Sequence, residues 1–235
     1  MLKKLTENLL ARFGKRISNL HAPAKKFGPG VRFLADRLPH PGTVIDIGVA
    51  DGTPELTDVF SYDQYQHVIV DANPNWKEYL DKIKKQHPSV VVENSFCGVE
   101  PGTAVLYLNK AGHYASAYNN ARGQEVLHVP VKTLDSIMAK AENVPVPYWL
   151  KIDVEGAELD VLKGSVATLQ QATVVIVEAW MTVDVETAGD FAAIVTFMDG
   201  QGFKVFDFFN GFNYKDGVLK QVDVVFVKNG TYKLS

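Results

Sequence analysis

Apolar and polar positions fall in alternating blocks along this chain. Short apolar runs bounded by polar or glycine-containing turns predict seven strands: Thr43–Ile47, His67–Asp71, Ser89–Asn94, Tyr148–Asp153, Thr173–Glu178, Phe203–Phe208 and Val222–Lys228. Patterns of helical period separate most of them, near Glu55–Phe60, Asn75–Gln86, Ala157–Leu169 and Thr187–Gly200. Apolar strands alternating with helices predict an α/β fold with a doubly wound, mostly parallel sheet covered on both faces. A long insert, Gly98 to Pro147, divides the third strand from the fourth and holds two more strand patterns, Ala104–Leu108 and Glu125–Val131. Gly112 to Gly123 between them is polar and small and reads as a mobile loop. Ahead of the first strand, Leu2, Leu5, Leu9, Phe13 and Ile17 share one helical face among Lys3, Lys4, Arg12, Lys15 and Arg16. The pattern divides the chain into an N-terminal helical segment, 1–42, and one α/β domain, 43–235, carrying the insert 98–147.

Composition narrows the class. A chain of 235 residues, 46% hydrophobic and 22% charged, suits one globular α/β domain. A net charge of -3 gives no general pull toward nucleic acid, and none is expected as a partner. Cys97 is the sole cysteine, which excludes an internal disulfide or a cysteine-based zinc cluster and fits a reducing, cytoplasmic setting. No apolar run approaches the ~18 residues of a membrane span. The basic N-terminal pattern lacks the continuous apolar core of a signal peptide. Such a helix can touch an anionic membrane surface, but packing on its own domain or on a second subunit is the expected role.

The chemistry begins at VIDIGVADG, Val44 to Gly52. An apolar strand ends in an acid, Asp46; Gly48 and Gly52 follow; Pro54 and Glu55 can open a helix. Glycine lets a backbone turn sharply and approach a ligand closely, and a helix start presents free amides to it. Open α/β sheets build nucleotide sites in this way. The spacing is not the G-x-G-x-x-G of dinucleotide folds, and Asp51 inside the loop disfavours a pyrophosphate. Acids there suit a ligand with an ammonium and hydroxyls, such as S-adenosylmethionine (SAM). Asp71, about twenty residues past the loop, stands where carboxylates bind ribose hydroxyls. Asn94 or Ser95, after the third strand, would meet an adenine edge and Phe96 its face.

A second cluster is KIDVEGAE, Lys151 to Glu158. Asp153 ends a strand expected beside the first, at the topological switch point where ligands bind. Glu155 and Glu158 follow it, and Lys151 interrupts an otherwise apolar strand. Glu178 ends the next strand, ahead of Trp180, and should project into the same crevice. Paired carboxylates there can act as base and orienter, or hold a divalent cation such as Mg through oxygen ligands. His113 and His128 lie in the insert and are further, weaker candidates. The expected catalytic set is Asp153, then Glu178, then His113, with Asp153 and Glu178 as the metal pair. Asn109 to Gln124, with Tyr114 and Tyr118, is expected to cover the acceptor.

The succession VIDIGVADG, VDANP, VPVKTLD, KIDVEGAELDVLKG and VVIVEAW resembles the FkbM-type SAM-dependent methyltransferases from about Thr43 to Lys228. KIDVEGAE with Leu162 and Gly164 is the most specific part, and VPVKTLD, Val129 to Asp135, is next. The chain departs from the family pattern at Val49 and Ala50, where an Ala-Asn pair is usual, and at Asp71-Ala72, where Glu-Pro is common. The resemblance implies a Rossmann-like class I methyltransferase fold, a seven-stranded mostly parallel sheet in the order 3-2-1-4-5-7-6 with the last strand antiparallel. It implies O-methylation, often of sugar hydroxyls, with SAM held by Asp46, Gly48, Asp51, Gly52, Asp71, Asn94 and Ser95. The acceptor would be a small molecule or a glycan, and an oligomer is compatible. The rivals are an NAD-dependent oxidoreductase and a non-catalytic SAM-binding module.

Overall fold

A computed structural model describes residues 26–108, 115–116, 125–181, 191–213 and 217–232. The expected amphipathic stripe from Leu2 to Ile17, His113, Tyr114 and Tyr118 lie outside the described residues.

Seven strands form the main sheet. In chain order they are β1 (Thr43–Ile47), β2 (Gln66–Val70), β3 (Val91–Glu93), β8 (Tyr148–Ile152), β9 (Ala172–Trp180), β10 (Phe203–Asn213) and β11 (Leu219–Lys228). Across the sheet the order is β10-β11-β9-β8-β1-β2-β3. This is the expected order. β11 runs antiparallel between β9 and β10, and the other pairs are parallel. Strands β1 and β8 are buried along their whole length, as parallel strands covered on both faces must be.

Alternation sorts the side chains between two layers. Ile45, Ile47, Leu150, Ile152, Val175 and Val177 face a core built with helices α4 (Leu134–Met138), α5 (Glu158–Lys163), α6 (Val166–Gln171) and α7 (Phe191–Gly200). Val44, Trp149, Val174 and Ile176 face the opposite core, with α1 (Phe27–Ala35) and α2 (Pro54–Thr57). Helix α3 (Lys77–Gln86) covers Ile69 and Val49 on that side. Helix α1 belongs to the segment assigned to 1–42. It docks Phe27, Val31 and Leu34 onto the domain's own core.

The insert builds a second sheet of order β4-β7-β5-β6, from β4 (Phe96–Cys97), β5 (Gly102–Leu108), β6 (Ala115–Ser116) and β7 (Glu125–Lys132). The two expected insert strands are β5 and β7, paired antiparallel. β6 pairs with the end of β5, so the segment read as one mobile loop contains an ordered bridge at 115–116.

Three predicted elements differ. The helix after the glycine loop is a single turn, Pro54–Thr57. The pattern at Ala157–Leu169 is two helices, α5 and α6, parted at Gly164 and Ser165; a side chain at Gly164 would meet the carbonyl oxygen of Gly98 at 2.1 Å, which keeps that position a glycine. The outer strands β10 and β11 extend well beyond the apolar runs that marked them.

Candidate active site

Two adjoining clefts open at the carboxyl ends of the central strands. The first is lined by Gly48, Ala50, Asp71, Asn73, Trp76, Ser95, Phe96, Cys97, Leu106, Asp153 and Glu155. The second takes Phe27, Asp51, Gly52, Lys151, Glu178, Asn210 and Asp223. Gly48, Ala50 and Asp153 belong to both.

The glycine loop is fixed by its own chain. Gly48 has φ +84, and a Cβ there would lie 1.7 Å from the Asp153 carbonyl oxygen. The close approach expected of a ligand is therefore made first by the β8 terminus. Gly52 has φ +108 and packs on the Tyr79 hydroxyl. Ala50 also sits in the left-handed region, at φ 49, where a Cβ is strained and asparagine is better tolerated. The family's usual asparagine at this place fits that conformation. Asp71 holds the loop instead: one carboxylate oxygen accepts from Ala50 N at 2.7 Å and the other from Asn73 N at 2.8 Å. Burial pushes Asp71 above the ordinary carboxylate range, and those two amides pull it back.

The candidate cofactor residues separate. Gly48, Asp71 and Ser95 line the first cleft; Asp51 and Gly52 line the second. Ser95 Oγ is buried with no hydrogen-bond partner. Asn94 is exposed and lines neither cleft, whereas Ser95 is buried. Asp46 is also not a lining residue. It lies beneath the loop, 4% exposed, across the β1–β8 ladder from Lys151.

That pairing explains the lysine inside an apolar strand. Lys151 Nζ lies 3.0 Å from Asp153 Oδ2 and 3.8 Å from Asp46 Oδ1. Burial alone would lower the Lys151 ammonium, but Asp153 and Asp46 outweigh it and hold the proton more tightly than usual. Asp46, with the longer contact, is less well compensated, and burial raises it.

Asp153, Glu155 and Glu178 converge, one carboxylate oxygen of each lying within 4.8 Å of the others. Burial raises Glu178 strongly, and the charges of Asp153 and Glu155 add to it. The β9–β11 register sets Asp223 directly across from Glu178. Asp223 is buried, which pushes it up to about 7 against the opposing pull of Lys151. Asp223 and Asn210 had escaped the sequence reading. The available signal was an acid inside the apolar run VDVVFV, the same kind of interruption that marked Lys151.

Other highlighted residues hold the scaffold. Glu158 is fully buried; its Oε1 accepts from Val154 N at 3.2 Å and Gly156 N at 3.0 Å and closes the loop after β8. Asp135, from VPVKTLD, accepts from Ala167 N, Thr168 N and Thr168 Oγ1 at 2.7–2.9 Å and caps α6. His128 is exposed on β7 and lines neither cleft.

The methyltransferase FkbM domain matches residues 46–205, most of the chain. The protein belongs to the FkbM methyltransferase family. The domain it carries is of a methyltransferase family, which speaks against the oxidoreductase reading. The chain is 32% identical over 118 residues to Methyltransferase 1 of Beauveria bassiana, covering 45% of this chain and 43% of that protein. It thus spans less than half the length of that relative. Its fold is similar to magnesium protoporphyrin IX methyltransferase from Synechocystis, solved with bound SAM (TM-score 0.45, 10% identity, 86% of this chain and 78% of that one). It is also similar to precorrin-6y C5,15-methyltransferase from Geobacter metallireducens (TM-score 0.44, 12% identity, 85% and 86%). No helix among the described residues is long and apolar enough to cross a membrane.

Proposed function

We propose that this protein transfers the methyl group of SAM to a hydroxyl oxygen of a sugar or glycan-containing acceptor. The observation that carries the reading is the convergence of Asp153 and Glu178 at the ends of two neighbouring central strands, beside a cleft with nucleoside-binding chemistry. The residues of that cleft fit the cofactor. Phe96 and Trp76 offer ring faces, and the partnerless Ser95 hydroxyl offers a hydrogen bond to a base edge. Asp71 retains acceptor capacity for ribose hydroxyls beyond its two backbone bonds. The acids of the second cleft suit the cationic methionine end, which would cross the loop at Gly48 and Ala50. SAM supplies an electrophilic methyl group on a sulfonium sulfur.

The chain's own residues align the acceptor and take its proton. Forming the O–C bond leaves the C–S electron pair on sulfur and releases the hydroxyl proton to the carboxylate cluster. Glu178 is the stronger base of the two once ionised: burial and two neighbouring acids raise it to about 9, so turnover should climb as pH rises toward 9. Asp153, tied to Lys151, is suited to orienting the hydroxyl. This reverses the order expected from sequence. The oxygen-rich lining, including Asn210 and Asp223, favours an acceptor rich in hydroxyls. Asp153 and Glu178 are also the pair that would hold a divalent cation.

Labelled SAM incubated with a panel of glycans and glycosides should yield an O-methyl product. Glu178→Gln should lower turnover by about 10²–10⁴-fold, the usual scale of general-base catalysis, with SAM affinity little changed. Methyl transfer to nitrogen or carbon alone, or a fully active Glu178→Gln enzyme, would discard this assignment.

A further inference from the structure

Three carboxylates come together at the ends of β8 and β9. Asp153, Glu155 and Glu178 each bring an oxygen within 4.8 Å of the other two. The Lys151 ammonium sits at 3.0 Å from one of the three, Asp153. A separate observation concerns Glu178 itself. The residue is 8% exposed, and its Oε2 is buried with no hydrogen-bond partner. A buried carboxylate oxygen without a donor is costly unless a cation or a proton meets it. The space between the three is reachable, because Asp153 and Glu155 line the first cleft and Asp153 and Glu178 the second.

We propose that Asp153, Glu155 and Glu178 form a divalent-cation site, of the Mg²⁺ or Mn²⁺ type, at the junction of the two clefts. The donor set is all oxygen, which selects hard cations over zinc or copper. Three carboxylates leave positions of an octahedral ion for water or for an acceptor hydroxyl. A coordinated hydroxyl gives up its proton more readily. With the ion in place Glu178 is a ligand and no longer the base, and that proton passes to cleft water as the O–C bond forms and sulfur keeps the C–S pair. Lys151 holds one oxygen of Asp153 and fixes the carboxylate in place. Only the catalytic role assigned to the ion rests on the transferase reading; ion binding itself does not.

The test titrates Mn²⁺ into the full chain without SAM and follows the free-ion signal by electron paramagnetic resonance. One saturable site is expected, displaced by Mg²⁺. Glu178→Gln and Glu155→Gln should each weaken it by about tenfold or more, since even outer-shell partners act on that scale. Asp63→Asn, at an exposed acid paired with His87, should leave it unchanged. Absence of saturable binding, or equal binding by wild type and both glutamine variants, overturns the site. Circular dichroism checks each fold, and Glu155→Gln, on the loop, decides the matter if Glu178→Gln does not fold. Calorimetry of SAM with metal-free protein separates the two readings. SAM binding without a Mn²⁺ site discards the cation alone; a Mn²⁺ site without SAM binding discards the transferase reading alone.

Discussion

Asp71 combines a structural task with a place in the wall of the first cleft. Its two oxygens fasten the glycine loop to the turn after β2, and the same group lines the first cleft. Asp71→Ala should therefore weaken SAM binding by about 1.5–3 kcal/mol, the range for hydrogen bonds to a charged group. It should also lower the melting temperature, because two amides lose their acceptor. Asp71→Asn keeps one acceptor oxygen and should recover part of the stability while binding SAM less well than wild type. Calorimetry and thermal melts on the three proteins make the comparison. A folded Asp71→Ala protein with unchanged SAM affinity removes Asp71 from the cofactor site.

Among the elements, α6 shows why a motif can be found in a sequence without its role being found. VPVKTLD stands out as a string, but Asp135 does its work on amides 33 residues away in the chain, at Thr168. Capping across that distance exists only once α4 and α6 are packed. Asp135→Ala should cost about 1–2 kcal/mol of stability, as cap removal does elsewhere, and leave SAM affinity unchanged. A chemical-denaturation midpoint equal to wild type would deny the clasp. The strands were legible because burial on both faces writes a continuous apolar run, as in Val44–Ile47 and Leu150–Ile152. The acids at their ends were legible because the sheet's switch point makes their place meaningful. The glycine at 164 was not, since the backbone of Gly98 that leaves no room for a side chain there is remote in sequence. Asp46 and Asn94 were assigned to the cleft by neighbourhood; the β1–β8 ladder sets Asp46 opposite Lys151, and Asn94 is exposed.

At the scale of the whole molecule, buried titratable groups oppose one another. His67 is buried, donates from Nε2 to the Phe60 carbonyl at 2.8 Å, and burial lowers it to about 4. Because the acceptor is a carbonyl, the ring nitrogen there is the donor, and the neutral ring fits. The unfolded chain binds that proton more readily, so stability drains away as pH falls from about 6.5 toward 4. Glu158 does the reverse. Burial raises it to about 7, so the folded state keeps its proton longer, and stability is lost as pH climbs from about 4.5 toward 7. Each full swing is worth roughly 3 kcal/mol. Melting temperature against pH should rise more steeply toward neutrality in Glu158→Gln than in wild type. Parallel curves for the two proteins would show that Glu158 does not hold its proton in this way.

Strand β11 enters the sheet between β9 and β10, although β10 precedes it in the chain. During synthesis, β10 leaves the ribosome with no place to pair, and β9 waits as an open edge. That waiting strand is almost wholly apolar, Ala172–Trp180, and it carries Glu178. An emerging chain stopped before residue 219 therefore has neither the far wall of its catalytic cleft nor a cover for its stickiest strand. Closure of the sheet and assembly of the site become a single event, timed by the arrival of Asp223 opposite Glu178.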